Sequence, residues 1–197
     1  MPKKLTLIRH GALDSKLDGC YVGRLDVPLS AAGKQQAHTL AKRMQDAQVD
    51  ALWCSPALRA KETAQPIAER LQLDCCIVDE LIEVDFGRWE GLTFEQISAA
   101  DPELVTEWAA MNEDFCFPEG ESQREFWRRV NTIAEQISDC EHRHLALVSH
   151  GGVIRRLLCL LLGWPQQDYL KIEIARGGFA TLSLYSEGAV LTGLYNE

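Results

Sequence analysis

Apolar positions recur along the chain in two alternating rhythms. Leu5-Thr6-Leu7-Ile8 is a short apolar run and predicts a strand. Ala37, Leu40, Ala41 and Met44 then fall at three- and four-residue steps, which predicts a helix over roughly 30–46 with Ser30 as its N-cap. Ala51–Cys54 predicts a second strand. Ser55-Pro56 follows it, a hydroxyl cap and a proline at the first helical position, opening a helix from 56 to about 72 that uses Ala60, Ala64, Ile67, Ala68 and Leu71. Cys75–Val78 predicts a third short strand. Ser122-Gln123-Arg124-Glu125 reads as a capping box, and the helix it opens carries Phe126, Val130, Ile133 and Ile137 on one face. Leu145–Val148 has the pattern of a buried strand, and Gly151-Gly152 leads into a helix with Val153, Ile154, Leu157, Leu158 and Leu161. Phe179–Tyr185 and Ala189–Tyr195 flank Ser186-Glu187-Gly188, a hairpin signal. Residues 80–121 keep no regular period; they hold Trp89, Phe94, Trp108, Phe115 and Phe117, with Pro102 and Pro118.

Strands alternating with helices imply an α/β fold with a mostly parallel sheet, and the terminal hairpin adds an antiparallel pair. A chain of 197 residues with 46% apolar content is long enough for one sizeable core. The net charge of −9 argues against a general nucleic-acid binder or a protein docked on anionic lipid. The longest apolar run, Leu157–Gly163, is far short of the ~20 residues of a spanning helix. The N-terminus does not read as a signal peptide. The seven cysteines are scattered with no C-x-x-C pair, which predicts reduced thiols in a cytoplasmic protein. His142 and His144 have a spacing that could suit metal ligands, but they sit in the polar run Glu141–His144 and read as a solvated turn.

Three polar clusters each follow a predicted strand: Arg9-His10-Gly11, Ser55-Pro56 with Arg59 one turn later, and Ser149-His150-Gly151-Gly152. Ligands of open α/β sheets bind outside the carboxyl ends of the strands. If those strands are parallel, two imidazoles and two guanidiniums share one edge, a set suited to phosphate because planar arginine forks match its oxygens. The Gly151-Gly152 helix start adds backbone donors and a positive dipole end.

At Leu7-Ile8-Arg9-His10-Gly11 the sequence resembles the histidine phosphatase superfamily, also called the phosphoglycerate mutase-like family. The similarity extends through Gly19–Arg24, Asp26–Ser30 with Gly33, Cys54–Ala60 with Thr63-Ala64, Glu80–Glu83 followed by Phe86–Gly91, and Val148–Gly152. Within the superfamily the chain is most similar to the α-ribazole phosphatase group of cobalamin assembly. The features that carry this are the short length, Asp26-x-Pro28-Leu29, Phe86-Gly87-x-Trp89-Glu90-Gly91 and Phe117–Ser122. Two positions depart from the family pattern: Ala12 stands where glutamate is common, and Lys16 where a phosphate-contacting asparagine is usual.

The resemblance implies a single domain over 1–197, a three-layer αβα sandwich with one antiparallel edge strand. It also implies hydrolysis of a phosphomonoester through a phosphohistidine. His10 is the expected nucleophile, with its other ring nitrogen donating to a fixed acceptor. Arg9, Arg59 and His150 are expected around the phosphoryl oxygens, with Gly23, Gly151 and Lys16 as further contacts and Glu83 as acid and base. No metal or other cofactor is expected. The implied partner is a small phosphomonoester rather than nucleic acid or a membrane, and a homodimer is left open. The irregular region at about 84–121 is expected to set specificity, with Phe94 and Trp108 themselves packed in the core. A broad or sugar-phosphate phosphatase, a phosphoglycerate mutase and a non-catalytic phosphoprotein-binding module remain as alternatives.

Overall fold

A computed structural model describes residues 3–196. Its sheet has six strands: β1 (Lys4–Arg9), β2 (Ala51–Cys54), β3 (Cys75–Ile77), β4 (His144–Ser149), β5 (Phe179–Tyr185) and β6 (Gly188–Tyr195). Their spatial order is β3-β2-β4-β1-β5-β6. The first four in that order are parallel, and the β5–β6 hairpin brings the antiparallel pairing to one edge.

The strand pleat divides the core. In β1 and β4, Leu5, Leu7, Leu145 and Leu147 face one side, and Ile8, Ala146 and Val148 face the other. The first side is covered by α5 (Gln123–Asp139) and α6 (Gly151–Leu162), through Val130, Ile133, Ile137, Val153, Ile154 and Leu157. The second is covered by α1 (Ala31–Met44) and α2 (Leu58–Leu71), through Leu40, Ala41, Ala60, Ala64 and Ile67. Both faces are apolar, as a parallel sheet between helix layers requires. Ser30 caps α1 and Ser122 opens α5 in a capping box, both as the sequence predicts.

Three local expectations change. The helix expected from position 56 begins at Leu58, with Ala57 at its N-cap and no side-chain cap of its own. The Ser55 hydroxyl is engaged by His150 instead, and Asp26 accepts from the Leu58 N–H across space. His144 is not in a solvated turn: it opens β4, is 7% exposed, and bonds Ala47 O and Thr6 Oγ1 through its two ring nitrogens. The region expected to be irregular contains two short helices, α3 (Phe94–Ala100) and α4 (Pro102–Ala109), started by a Thr93–Gln96 capping box and by Pro102.

The seven cysteines are free thiols. No helix among the described residues is long and apolar enough to cross a membrane.

Candidate active site

Strands β1, β2 and β4 end level with one another. Arg9 pairs with Ser149, and Cys54 with Val148. The next residues therefore emerge on one sheet edge, tied by His10 N–H to Ser149 O (3.0 Å) and Ser55 N–H to Val148 O (3.0 Å). The His10 and His150 rings stand 5.2 Å apart between centroids. Chain-distant clusters thus meet because the strands run in parallel and in this register.

The two rings differ in what each leaves free. His10 Nδ1 donates to Gly11 O at 2.8 Å, which leaves Nε2 with its lone pair. Burial, then the Arg59 and Arg9 guanidiniums, push the ring well below the usual 6.5, so it is neutral near pH 7. His150 lies with Nε2 2.7 Å from Ser55 Oγ. That oxygen also accepts the Ala57 N–H at 3.4 Å; either the Ser55 hydroxyl or His150 Nε2 can donate across their contact, and we assign the hydroxyl as the donor. The ring proton then belongs on Nδ1, a buried atom without a partner among the described residues. Burial and the nearby Arg59 hold His150 well below its usual value too. A neutral His150 therefore still offers a donor.

Arg59 is wholly buried on α2. Its Nη atoms donate to the carbonyls of Leu25 (2.8 Å), Gly23 (2.7 Å) and Val22 (3.2 Å), while Nε has no partner among the described residues. Arg9 donates to Ile174 O at 2.7 Å and likewise keeps an unpartnered buried Nε. Its pKa is pushed down to about 10 by burial, partly offset by Glu83. Buried donors without acceptors cost free energy, so three of them on one sheet edge mark a place shaped for an anion.

Glu83 reaches the same edge from the loop after the 3-10 turn Asp79–Leu81. It is 7% exposed. One carboxylate oxygen accepts the Gly152 N–H at 2.9 Å, in the first turn of α6, where negative charge is favoured. The other accepts the N–H of Val84 at 3.1 Å. Glycine at position 152 leaves room for this carboxylate, since a Cβ there would stand 2.4 Å from Glu83 Oε1 and displace it.

Above these groups opens a cavity of about 610 Å³. Arg9, His10, Glu83 and Gly151 line its floor. Tyr21, Phe86, Phe94, Trp108 and Phe117 form one wall, and Arg155, Tyr169 and Arg176 stand among its other lining residues. Arg59 and His150 lie buried beside the floor, close enough that both shift the charge balance of His10 or respond to it. Among the described residues no group of three or more His, Cys, Asp or Glu could hold a metal ion.

Lys16 and Gly23 do not join this set. Lys16 is exposed on the 3-10 turn Ser15–Leu17, where Asp14 accepts its N–H, and it is absent from the cavity lining. Gly23 donates its N–H to Glu90 Oε2 (3.0 Å), a carboxylate that also gathers the N–H groups of Arg24, Leu25 and Phe86. Glycine serves there for close approach, since a Cβ would meet Val84 O at 1.8 Å. Phe94, expected in the core, is 46% exposed at the cavity wall; Trp108 does pack edge-on against Tyr21 and Trp89. Sequence reading passed over Arg155, Tyr169 and Arg176. Arg155 lies one helical turn after Gly151, a spacing that could have drawn attention to it. The other two come from the aperiodic stretch before β5.

A neutral, buried histidine beside unpaired cationic donors at a strand-end edge defines an anion-handling enzyme site. The chain belongs to the histidine phosphatase superfamily (branch 1), whose model matches residues 5–197. It is 30% identical over 189 residues to an adenosylcobalamin/alpha-ribazole phosphatase of Escherichia coli, covering 95% of this chain and 93% of that protein. It is 34% identical over 164 residues to phosphoserine phosphatase 1 of Hydrogenobacter thermophilus, covering 81% and 76%. The crystal structure of the alpha-ribazole phosphatase from Shigella flexneri superposes with a TM-score of 0.87 at 29% identity, over 98% of this chain and 96% of that one. Superfamily and relatives together identify a phosphatase.

Proposed function

We propose that the protein hydrolyses α-ribazole 5′-phosphate, as a step of cobalamin assembly, in two in-line displacements through phosphohistidine at His10. In the first, Nε2 of His10 bonds to phosphorus as the ester P–O bond breaks, and Glu83 delivers a proton to the departing alkoxide. In the second, Glu83 takes a proton from water, the water oxygen bonds to phosphorus, and the P–N bond breaks. Arg9, Arg59 and the Nδ1–H of His150 offset charge on the non-bridging oxygens, with the first turn of α6 at Gly151 beside them. The observation that carries this reading is the Nδ1 bond of His10 to Gly11 O, which leaves a neutral nitrogen free beside three unpaired buried donors.

The choice of leaving group rests on the cavity wall. Phe94 and Trp108 offer flat apolar surface to a base, worth about 1 kcal/mol for an aromatic pair. A second reading, a phosphomonoester with a carboxylate on its leaving group such as phosphoserine, is favoured by Arg155. Its Nε is anchored on Ile172 O (2.8 Å) and it faces the same cavity. The deciding experiment compares kcat/KM on α-ribazole 5′-phosphate, ribose 5-phosphate and phosphoserine. The α-ribazole ester is expected to lead. Equal turnover of it and ribose 5-phosphate would remove the stacking argument, and a lead for phosphoserine would establish the second reading.

A further inference from the structure

The loop that carries Glu83 lies between two 3-10 turns, Asp79–Leu81 and Gly87–Trp89, and belongs to no strand or α-helix. Yet its carboxylate is held within hydrogen-bond distance of α6. The hold comes from α5. Arg129 Nη1 donates to the carbonyls of Glu80 (2.6 Å) and Ile82 (2.5 Å). Its Nη2 donates to Glu83 O (3.3 Å) and to Glu121 Oε1 (2.7 Å). The same Glu121 oxygen accepts the Asp85 N–H (3.0 Å), and the Glu121 N–H returns a bond to Asp85 O (3.1 Å). One ion pair, only 15% and 12% exposed at its two side chains, thus grips the backbone on both sides of Glu83. The guanidinium is further fixed 5.2 Å from the centre of the Phe126 ring.

The Nη donors of Arg129 go to the loop although its buried Nε is left without a partner among the described residues, so the arrangement serves the loop rather than the arginine's own satisfaction. Arg129 spreads its fork over the carbonyls of Glu80, Ile82 and Glu83, a span that a lysine ammonium cannot cover from one point. We infer that Arg129, together with the Glu121 carboxylate it pairs with, is the positioning residue for proton transfer: it fixes where the Glu83 carboxylate stands and does not touch substrate. The inference rests on the reading of Glu83 as acid and base. In the first displacement a misplaced proton donor slows only those esters whose leaving group needs the proton; the second, in which Glu83 takes a proton from water, is common to all esters. An alkoxide does; a dinitrophenolate departs without it.

The test measures kcat/KM, which reports the first displacement, for wild type, Glu83→Gln, Arg129→Met, Arg129→Lys and Glu121→Gln on glycerol phosphate and on dinitrophenyl phosphate. Arg129→Met is expected to lose about 10²-fold in kcat/KM on the alkyl ester, the scale of a misplaced catalytic group. On the dinitrophenyl ester kcat/KM should stay within about threefold of wild type. Glu121→Gln, which keeps the side chain's shape, is expected to show the same selectivity at smaller size, and it carries the test if Arg129→Met does not fold. Arg129→Lys is not expected to restore the alkyl rate. The double variant Glu83→Gln/Arg129→Met should be no slower on the alkyl ester than Glu83→Gln alone, since both act on one group. Equal slowing of both esters by the Arg129 and Glu121 variants, or multiplied losses in the double variant, would overturn the inference while leaving Glu83 in its role. If Glu83→Gln itself lowers kcat/KM on both esters alike, the reading of Glu83 as acid fails and this inference falls with it.

Discussion

The floor of the cavity and its aromatic wall are built in opposite ways. On the floor, Arg9 and His10, with His150 beside them, stand at or just beyond a strand end and take their places from sheet register, while Glu83 is brought in by a loop. Ring orientations there are fixed by single hydrogen bonds to backbone or to a buried hydroxyl. The wall has short helices, 3-10 turns and rings that meet edge-on, such as Phe86 on Phe117 and Trp89 on Phe117. Its inner rings are buried, while Phe94 is half open to solvent. The floor is therefore the part that cannot change without losing the reaction, and the wall is the part that can be altered to change which ester is accepted.

The largest expected effect separates the two regions through Glu83. Glu83→Gln is expected to lower kcat on alkyl phosphates by ~10²–10⁴-fold, with the fold unchanged by circular dichroism. A loss below tenfold would move the acid–base role elsewhere, with Asp85 the first candidate.

The next concerns proton balance on the floor. Both histidines are held neutral in the folded chain and gain protons near pH 6.5 when unfolded. Below that pH the unfolded state binds protons that the native state refuses, so stability falls as pH falls. The slope for each histidine approaches about 1.4 kcal/mol per pH unit well below pH 6.5, which makes about 1 kcal/mol between pH 6.5 and 5.5. Urea unfolding at pH 6.5 and 5.5 should show this loss, and His10→Gln should reduce it by one histidine's share. An unchanged slope in the variant would mean that His10 is protonated in the native state. Ser55→Ala extends the same idea: without the hydroxyl, the proton of His150 is no longer directed to Nδ1, so kcat is expected to fall about tenfold, the scale of one lost hydrogen bond of ~1.4 kcal/mol.

A smaller effect belongs to the wall. Phe94→Ala should raise KM for α-ribazole 5′-phosphate about fivefold, the equivalent of ~1 kcal/mol, and leave kcat and the ribose 5-phosphate constants unchanged. An equal rise for both substrates would deny Phe94 a contact with the base. The smallest is a null: exhaustive chelation is expected to leave the rate unchanged. Loss of activity restored by added magnesium or zinc would contradict a mechanism built on arginines and a protein nucleophile.

The difference between the regions also explains what could be read from sequence. Arg9, His10 and His150 were legible because each sits against a strand whose apolar run is unmistakable, and parallel strands deliver their ends to one edge. Arg59 was legible from its place one turn into a helix. The wall was not legible in the same way. Alternation and helical period are weak over segments as short as α3 and α4, and aromatic residues give the same signal in a core as at a cavity. Phe94 shows this, having been assigned to the core and standing at the mouth. Ser55 shows another limit. Its motif fits a helix cap, and only the approach of His150 from 95 residues away turns its hydroxyl to another use. Gly23 and Lys16 were carried by family pattern alone; the Gly23 N–H is engaged by Glu90, and Lys16 stands exposed on its 3-10 turn.

The central claim is that His10 takes the phosphoryl group on Nε2. Rapid quench of the enzyme with labelled substrate, followed by separation under alkaline conditions that preserve phosphohistidine, tests it most directly. Label on the wild-type chain, stable to alkali, lost in acid, mapped to His10 and absent from His10→Asn, is the predicted result. Full turnover by His10→Asn, or label on another residue, would contradict it.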